Sequence, residues 1–379
     1  MLMNAGPTNV SPRVMDAINQ PLIHFMDPKF LEVLREISAG IRYVFQTRNQ
    51  YSMALTGSGN CAMEAAICSL LETGHTFLVL VHGFWGERAA LIGRKHGYNV
   101  VELRVQRPGH LFGFKRIDEA IKAHKPRLMY VCHGDSSVGT LQPLENLANV
   151  CHENGCLLLV DAVISLCCAP LNVDQLVIDA VFSGSQKALS VPPGVSFISL
   201  SPRAVERMKS RKTEIVSLYL DLILLAKAWC LDSDNHYKYN MYNYKYVYHY
   251  TPAVQLMYGL RESLAMVVEE GLQNVIERHQ KCSLFVQKEI TSLGLQFLVQ
   301  KPEHRLSALL ALWIPDHIDG QKVINDLCNS YGITISGGLG AISHQIWRLG
   351  FLGVNANPQN VNTLCKAFSE AINRQKNRE

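Results

Sequence analysis

The chain has 379 residues, of which 48% are hydrophobic and 18% are charged, with a formal net charge of +4. This length favours two domains, and this composition supports a large buried core. The small, dispersed net charge argues against a nucleic-acid-binding surface, which requires clustered Lys and Arg. The 11 cysteines include no CxxC pair, which indicates reduced thiols that mostly serve as small core residues.

The most apolar long run covers residues 218–231. Asp221 and Lys227 interrupt it, and it is shorter than the roughly 18 uncharged residues that a membrane span needs. We therefore predict a packed helix here and no membrane association. Residues 376–379 are not a peroxisomal tripeptide and residues 4–9 form a turn signal, so these segments predict no address, and a cytoplasmic or mitochondrial location stays open.

Apolar runs along the first half of the chain predict buried strands, at residues 77–81, 128–132, 156–160 and 180–182. Segments with helical periodicity, at residues 61–71 and 144–152, separate the early ones. Strands that alternate with helices favour an α/β fold with a mostly parallel sheet covered on both faces. Ligands of such sheets bind at the carboxyl ends of the strands, so we look there for functional residues.

After residue 251 the pattern becomes that of a smaller α+β unit. A long helical stretch is followed by shorter strand and helix patterns, in the order 252–293, 295–299, 309–313, 320–331 and 345–350, and then by a closing helix. We predict a large domain over residues 1–270 and a small C-terminal domain over residues 271–379.

A tyrosine-rich tract of low complexity covers residues 236–250. It contains few apolar aliphatic residues, so it has little with which to form a packed core. We interpret residues from about 233 to 246 as a surface insertion in the large domain.

Two strand ends carry the strongest chemical signal. Asp161 ends the apolar run at 156–160, although a lone Asp in this place is more often a turn former. Lys187 follows the next strand in the segment SGSQKAL, between small residues and a Pro-Pro-Gly turn. A pyridoxal 5′-phosphate (PLP) enzyme needs a lysine to attach the cofactor and a carboxylate to keep the ring nitrogen protonated. The pair therefore predicts a PLP site.

The segment GSGN at residues 57–60 predicts an anion site. It lies between a short apolar strand and a helix, whose N-terminal amides can bind a phosphate. The segment also fits the loose dinucleotide pattern GxGxxA. However, the next strand ends in His82-Gly83 rather than in the acid that would hold a ribose, which favours a single phosphate.

Three further side chains are candidates for ligand binding, and for each of them a purely structural role is the alternative. Trp85 follows a strand end, where it can stack on a flat ring or fill the core. Ser136, in the polar segment HGDSSVG, can hydrogen-bond a ring oxygen or stabilise a turn. Arg348 lies among apolar residues and needs an anionic partner, either a substrate carboxylate or a protein carboxylate.

In this order and spacing, the motifs GSGNCAMEA, HGDSSVG, LLLVDAV, SGSQKAL and GGLG…WRLGFLG resemble those of the alanine–glyoxylate and serine–pyruvate aminotransferases. These are class-V PLP enzymes of fold type I, and the resemblance covers nearly the whole chain. It implies that Lys187 carries the cofactor, that Asp161 pairs with the pyridine nitrogen and that Trp85 stacks on the ring. It further implies roles for these residues: Ser58, Gly59, Asn60 and Gln186 at the phosphate, Ser136 near the ring oxygen, Tyr248 and Thr251 at the phosphate of a partner subunit, and Arg348 and Gly6 at the substrate.

The resemblance also implies a homodimer that moves an amino group between alanine or serine and glyoxylate or pyruvate, with glycine formation, in the peroxisome. Asn60 stands where the family usually has His, and His24 stands where it has a small residue. A 3-hydroxykynurenine transaminase and an inactive scaffold stay open as alternatives. A cysteine desulfurase is disfavoured, because no cysteine lies in an evident mobile loop.

Overall fold

The computed structural model describes residues 1–231 and 248–376. The predicted insertion at 233–246 lies outside the described residues. The strands, in chain order, are β1 (Tyr51–Thr56), β2 (Thr76–Val81), β3 (Asn99–Arg104), β4 (Leu128–Cys132), β5 (Gly134–Asp135), β6 (Thr140–Leu141), β7 (Leu157–Asp161), β8 (Ala180–Gly184), β9 (Val195–Leu200), β10 (Leu309–Trp313), β11 (Ser336–Gly337) and β12 (Ile346–Gly350).

The α-helices flank these strands. They are α1 (Pro12–Ile18), α2 (Pro28–Phe45), α3 (Gly59–Leu70), α4 (Phe84–Lys95), α5 (Phe114–His124), α6 (Leu147–Glu153), α7 (Pro202–Lys209), α8 (Leu222–Ala228), α9 (Val254–Glu270), α10 (Leu272–Ser292), α11 (Gly320–Tyr331) and α12 (Pro358–Lys376). No helix in the described part of the chain is long and apolar enough to cross a membrane.

The central sheet has seven strands in the order β1-β9-β8-β7-β4-β2-β3. Of these, β9 runs antiparallel to both of its neighbours, and the other pairs are parallel. Every residue of β4 and β7 is buried, because apolar side chains on both faces of each strand pack under helices. The predicted mostly parallel α/β sheet is confirmed, with β2, β4, β7 and β8 near their predicted bounds.

Two strands of this sheet go beyond the predicted set. The strand β3 lies at the edge and reads NVVELR, so its half-exposed residues lack a continuous apolar run. In β9 every residue is buried, but the sequence VSFISL includes two serines that interrupt the apolar pattern. The hydroxyl of one of them, Ser199, lies 2.9 Å from the Ser52 hydroxyl. The Ser199 hydroxyl is therefore satisfied, whereas the Ser196 hydroxyl is buried without a hydrogen-bond partner among the described residues.

The second half of the chain departs from the predicted elements at two points. The predicted helix at 252–293 is two helices, because Gly271 has φ +84° and ends α9 before α10 begins. The predicted strand at 295–299 is wrong, since within that range only Phe297 forms an isolated bridge, with Leu312. In the apolar run at 218–231, Asp221 caps the short helix α8 by accepting from two backbone amides.

A smaller three-stranded sheet, in the order β10-β12-β11, lies against α10, α11 and α12 and has its own apolar core. Met3 belongs to this second core, and Leu2 forms a bridge with Thr334. Helix α10 joins the two cores, since Val275 packs in the first and Val286 in the second. The domain boundary at residue 270 stays a prediction.

Close packing of α4 on β2 depends on Gly86. A Cβ atom there would lie 2.7 Å from the Val81 Cα and 2.8 Å from the Leu80 carbonyl oxygen, so backbone would have to move. We expect Gly86→Ala to lower the free energy of unfolding by about 1–3 kcal/mol, as overpacking does. Urea unfolding followed by circular dichroism measures this loss.

Gly113→Ala is the matched control, because a Cβ at Gly113 meets no atom within 4 Å. Gly113 is the N-cap of α5, so this change weakens only the cap and costs less than about 1 kcal/mol. Equal losses in the two variants would contradict the proposed packing.

Candidate active site

A small cavity of about 60 Å³ lies at the carboxyl ends of the parallel strands β4 and β7, beside the N-termini of α3 and α4. This is the edge at which ligands of parallel sheets bind. The residues that line it are Ser58, Gly59, Asn60, Met63, Trp85, Gly134, Ser136, Asp161, Val163, Ile164, Gln186 and Lys187. Eight of the predicted site residues are therefore brought together here: Ser58, Gly59, Asn60, Trp85, Ser136, Asp161, Gln186 and Lys187.

Asp161 is the last residue of β7 and is 2% exposed. Its Oδ1 accepts from the Val163 backbone N–H at 2.9 Å, and its Oδ2 accepts from the Tyr130 hydroxyl at 2.9 Å. Burial raises the pKa of Asp161 to about 7, although both hydrogen bonds act in the opposite direction. The carboxyl is thus held rigidly, and its charge depends on what binds beside it.

Lys187 lies just after β8 and is 7% exposed. Burial and the Arg348 guanidinium together lower the pKa of its amine to about 8, although the Asp161 carboxylate acts in the opposite direction. The Nζ atom donates a hydrogen bond to the Ala5 carbonyl oxygen. Gly6 has φ +103°, and a Cβ there would overlap the lysine amine, so only glycine fits between Ala5 and this side chain.

An aromatic wall of the cavity is fixed by the loop after β4. The Trp85 indole Nε1 donates to the Ser136 Oγ at 2.7 Å. The Ser137 Oγ accepts from the Phe84 backbone N–H at 3.0 Å and donates to the Asp135 carboxylate. These bonds tie the first turn of α4 to the loop and set the plane of the indole ring.

The N-terminus of α3 supplies polar groups to the same cavity. Ser58 is the N-cap residue, and its side chain makes no capping bond. The side-chain oxygens of Asn60 and Gln186 are buried without a hydrogen-bond partner among the described residues. Unsatisfied polar groups next to free helix amides fit a polar ligand, and the positive end of the helix dipole favours an anion.

Arg348 projects from β12 in the smaller sheet and is 5% exposed. Its Nε donates to the Gly337 carbonyl at 2.7 Å, and one terminal nitrogen donates to the Ser136 carbonyl at 2.9 Å. No carboxylate of the described residues forms an ion pair with it, and burial lowers the pKa of the guanidinium to about 10. The Asp135 carboxylate raises the pKa of the guanidinium, but the hydrogen bonds of Arg348 go to carbonyl groups, and such a buried cation is suited to bind an anion.

Two predicted residues lie away from the cavity. Tyr248 is 60% exposed, and its hydroxyl is 3.4 Å from the Thr251 hydroxyl. The Tyr248 ring lies 5.8 Å from that of Phe25, whose ring is 4.8 Å from that of His24. A single chain therefore does not bring Tyr248 or Thr251 to the site, and their assignment to a partner's phosphate stays a prediction.

The sequence-based list omits the cavity-lining residues Met63, Gly134, Val163 and Ile164, and it omits Tyr130, which contacts Asp161 behind the cavity. The run at 128–132 predicts an apolar strand, and Tyr130 stands in its middle, fully buried. A tyrosine in an apolar strand is itself a signal, because a buried hydroxyl requires a hydrogen-bond partner. Its partner proves to be Asp161.

A mostly parallel α/β fold with a buried lysine and carboxylate at one strand-end cavity defines an enzyme of fold type I. A family model described as aminotransferase class-V matches residues 1–354. Alanine–glyoxylate aminotransferase of Felis catus is 40% identical over 374 residues, which cover 99% of this chain and 88% of that protein. The chain therefore belongs to the class-V aminotransferase family, and the resemblance seen in the sequence is confirmed.

Two further comparisons agree. (S)-Ureidoglycine–glyoxylate transaminase of Bacillus subtilis is 29% identical over 378 residues, covering 95% of this chain and 87% of that protein. The crystal structure of alanine–glyoxylate aminotransferase from Nostoc sp. superposes with a TM-score of 0.91 at 35% identity, covering 98% of this chain and 94% of that chain. The fold and the family are thus shared over nearly the full length.

Burial of Asp161 has a measurable consequence for the ligand-free protein. Its pKa in the folded state, about 7, exceeds the unfolded value of about 3.9. Stability from this group is therefore fully present below about pH 4 and is lost as the pH rises through 7. We expect Asp161→Asn to gain on the order of 1–3 kcal/mol over the unaltered chain between pH 5 and pH 8, measured by urea unfolding at each pH.

Asp16→Asn serves as the control, because Asp16 is exposed on α1. Its stability relative to the unaltered chain should stay constant over the same pH range. A pH-independent difference for Asp161→Asn as well would show that the buried carboxyl does not titrate in this range.

Proposed function

We propose that this aminotransferase uses PLP and moves the amino group of a small amino acid, alanine or serine, to a 2-oxo acid, glyoxylate or pyruvate. Glycine is the product when glyoxylate accepts the amino group. The observation that carries the proposal is the convergence of Lys187 and Asp161, both buried, on one strand-end cavity.

The residues that line this cavity fit the parts of PLP. The start of α3, with Ser58, Gly59 and Asn60, is suited to the phosphate, and Gln186 lies beside it. Trp85 offers an aromatic face for the ring, and Ser136 a hydroxyl for the ring oxygen. When bound, PLP supplies an electron sink for the carbanion that forms at the substrate α-carbon.

Asp161 and Lys187 have complementary tasks in this proposal. The Asp161 carboxylate would accept a hydrogen bond from the protonated ring nitrogen of PLP and keep that nitrogen charged. The pKa of the Lys187 amine, about 8, leaves a fraction of it neutral near pH 7. Its Nζ can therefore take a proton from the substrate α-carbon and return it, as a general base and acid must.

The substrate carboxylate is proposed to bind Arg348. Its guanidinium presents several donors in one plane, and two of its nitrogens are oriented by carbonyl groups of Gly337 and Ser136. The bond to Ser136 links this cation to the residue that also contacts the Trp85 indole. The loop after β4, which contains Ser136, therefore orients both the Arg348 guanidinium and the Trp85 indole.

The names of the relatives support glyoxylate as the amino-group acceptor. The relatives from Felis catus and Bacillus subtilis have different amino donors in their names, whereas glyoxylate occurs in both. At 40% identity, the former favours alanine as the donor. Among the alternatives, no observation favours a 3-hydroxykynurenine transaminase or an inactive scaffold.

A homodimer forms part of the proposal. Large apolar side chains are exposed near Tyr248, including Leu22 at 67%, Val216 at 80% and Leu218 at 71%. The stacked pair Tyr219–Tyr250 connects this surface to β1, since the Tyr250 hydroxyl accepts from the Thr56 N–H. An exposed apolar surface of this kind is typical of a protein interface. The peroxisomal location is proposed from the family resemblance alone.

The proposal is tested with purified protein and added PLP. The unaltered chain should show visible absorbance of the bound cofactor, which alanine removes and glyoxylate restores. Lys187→Ala should lose this cycle and at least about 1000-fold in turnover, since the covalent and proton-transfer roles are lost together. A chain that takes up no PLP, or a Lys187→Ala variant with normal turnover, would contradict the proposal. Activity with 3-hydroxykynurenine but none with alanine or serine would overturn the proposed donor.

Arg348→Lys tests carboxylate binding separately. A lysine keeps the charge but loses the planar pair of donors, so the KM for alanine should rise about tenfold or more. The amount of PLP retained should stay near that of the unaltered chain. An unchanged KM for alanine would assign Arg348 to the structure alone.

A further inference from the structure

Tyr130 occupies a defined place behind the candidate cofactor site. It lies in β4, paired in register with Leu159 of β7, while Cys132 is paired with Asp161. Paired residues of adjacent parallel strands share a face, and so do residues two apart. Tyr130 therefore lies on the same face of the sheet as Asp161, two residues before the end of β4. Its hydroxyl reaches from there to the Asp161 carboxylate.

The hydroxyl of Tyr130 is hydrogen-bonded to the Asp161 carboxylate. It donates to the Asp161 Oδ2 at 2.9 Å, and the ring is fully buried. The Val163 N–H takes the other oxygen, so each carboxylate oxygen holds one donor from the protein. A carboxylate accepts about four hydrogen bonds, which leaves room for a further donor from the cavity.

The surroundings of Tyr130 and Asp161 determine which of these two residues carries the proton of their hydrogen bond. Burial and the Asp161 carboxylate raise the pKa of the Tyr130 hydroxyl well above its usual value, and Cys132 and Asp135 act in the same direction. Tyr130 thus keeps its proton and remains a donor. Around Asp161, Asp135 favours the protonated carboxyl, whereas Lys187 and the Tyr130 hydrogen bond favour the ionised form.

We infer that Tyr130 is a positioning residue for cofactor binding: its hydroxyl holds the Asp161 carboxylate in place and stabilises its ionised form for the ring nitrogen. The inference rests on the proposed function, because it takes PLP as the molecule that Asp161 meets. Tyr130 does not line the cavity, so it acts through Asp161 and not by contact with the cofactor. A phenylalanine in this place would fill the same space but leave the buried carboxylate one donor short.

The test compares PLP dissociation constants, measured by quenching of tryptophan fluorescence with PLP itself as the ligand. Hydrogen bonds to charged groups contribute about 1.5–3 kcal/mol, so we expect Tyr130→Phe to bind PLP about tenfold more weakly. Tyr98→Phe is the matched control. Tyr98 is also buried, but its hydroxyl donates to the Leu71 carbonyl, at 3.4 Å, and does not line the cavity. Its removal should leave the PLP affinity unchanged.

A double-mutant cycle separates positioning from general structural damage. In an Asp161→Asn background the carboxylate is absent, so Tyr130→Phe should change the PLP affinity less than about twofold. A structural defect at position 130 would instead weaken binding equally in both backgrounds. In addition, a chain with 3-fluorotyrosine at position 130 keeps the donor and should bind PLP as tightly as the unaltered chain.

Three results would overturn the inference. These are unchanged affinity in Tyr130→Phe, an equal loss in both backgrounds, or a loss with 3-fluorotyrosine as large as with phenylalanine. Failure of the proposed function gives a different result, because the unaltered chain would then not bind PLP, and the inference would fall with it. If Tyr130→Phe does not melt cooperatively, a chain with 4-fluorophenylalanine at position 130 takes its place, because this side chain fills the space of the hydroxyl but cannot donate a hydrogen bond.

Discussion

Removing an ionised carboxylate and an ammonium group from water is the constraint that shapes this site. Burial that raises the pKa of Asp161 from 3.8 to about 7 costs roughly 4 kcal/mol when the group is charged. The same burial lowers the pKa of Lys187 from 10.5 to about 8. The two groups thus approach each other in proton affinity, and small changes beside them decide where a proton lies. This property suits a site in which protons must move.

The protein offsets part of this cost with fixed donors and not with a direct ion pair. Asp161 receives one hydrogen bond from the backbone of Val163 and one from Tyr130. Arg348, another buried charged group, is held by two carbonyl groups. Because none of these partners is itself an opposite charge, the capacity of the charged groups to bind a ligand is preserved.

Whether a contact of the site can be predicted from the sequence depends on how far apart its residues lie along the chain. Asp161 and Lys187 can be predicted because each follows an apolar run that indicates a buried strand. Ligands of parallel sheets bind at the carboxyl ends of strands, so both residues are expected at the site. The contact of Lys187 with the Ala5 carbonyl joins residues 182 positions apart and uses a backbone atom, so no side-chain pattern announces it. The strand β3 is also absent from the predicted set, since at a sheet edge its half-exposed residues need no apolar run. Tyr248 and Thr251 lie outside the cavity of a single chain, so the predicted phosphate contact of these residues would require a second copy.

The position of the first residues has a consequence for biosynthesis. Leu2 and Met3 pair with Thr334, and the Gly350 N–H donates to the Met3 carbonyl. Ala5, whose carbonyl accepts from the Lys187 amine, is thereby held in place by contacts of its neighbours with Thr334 and Gly350. A ribosome synthesises residues 2–5 before residues 334–350, so residues 2–5 can make these contacts only after β12 has emerged. The contact of Ala5 with Lys187 is therefore fixed later in synthesis than the point at which β7 can pair with β8.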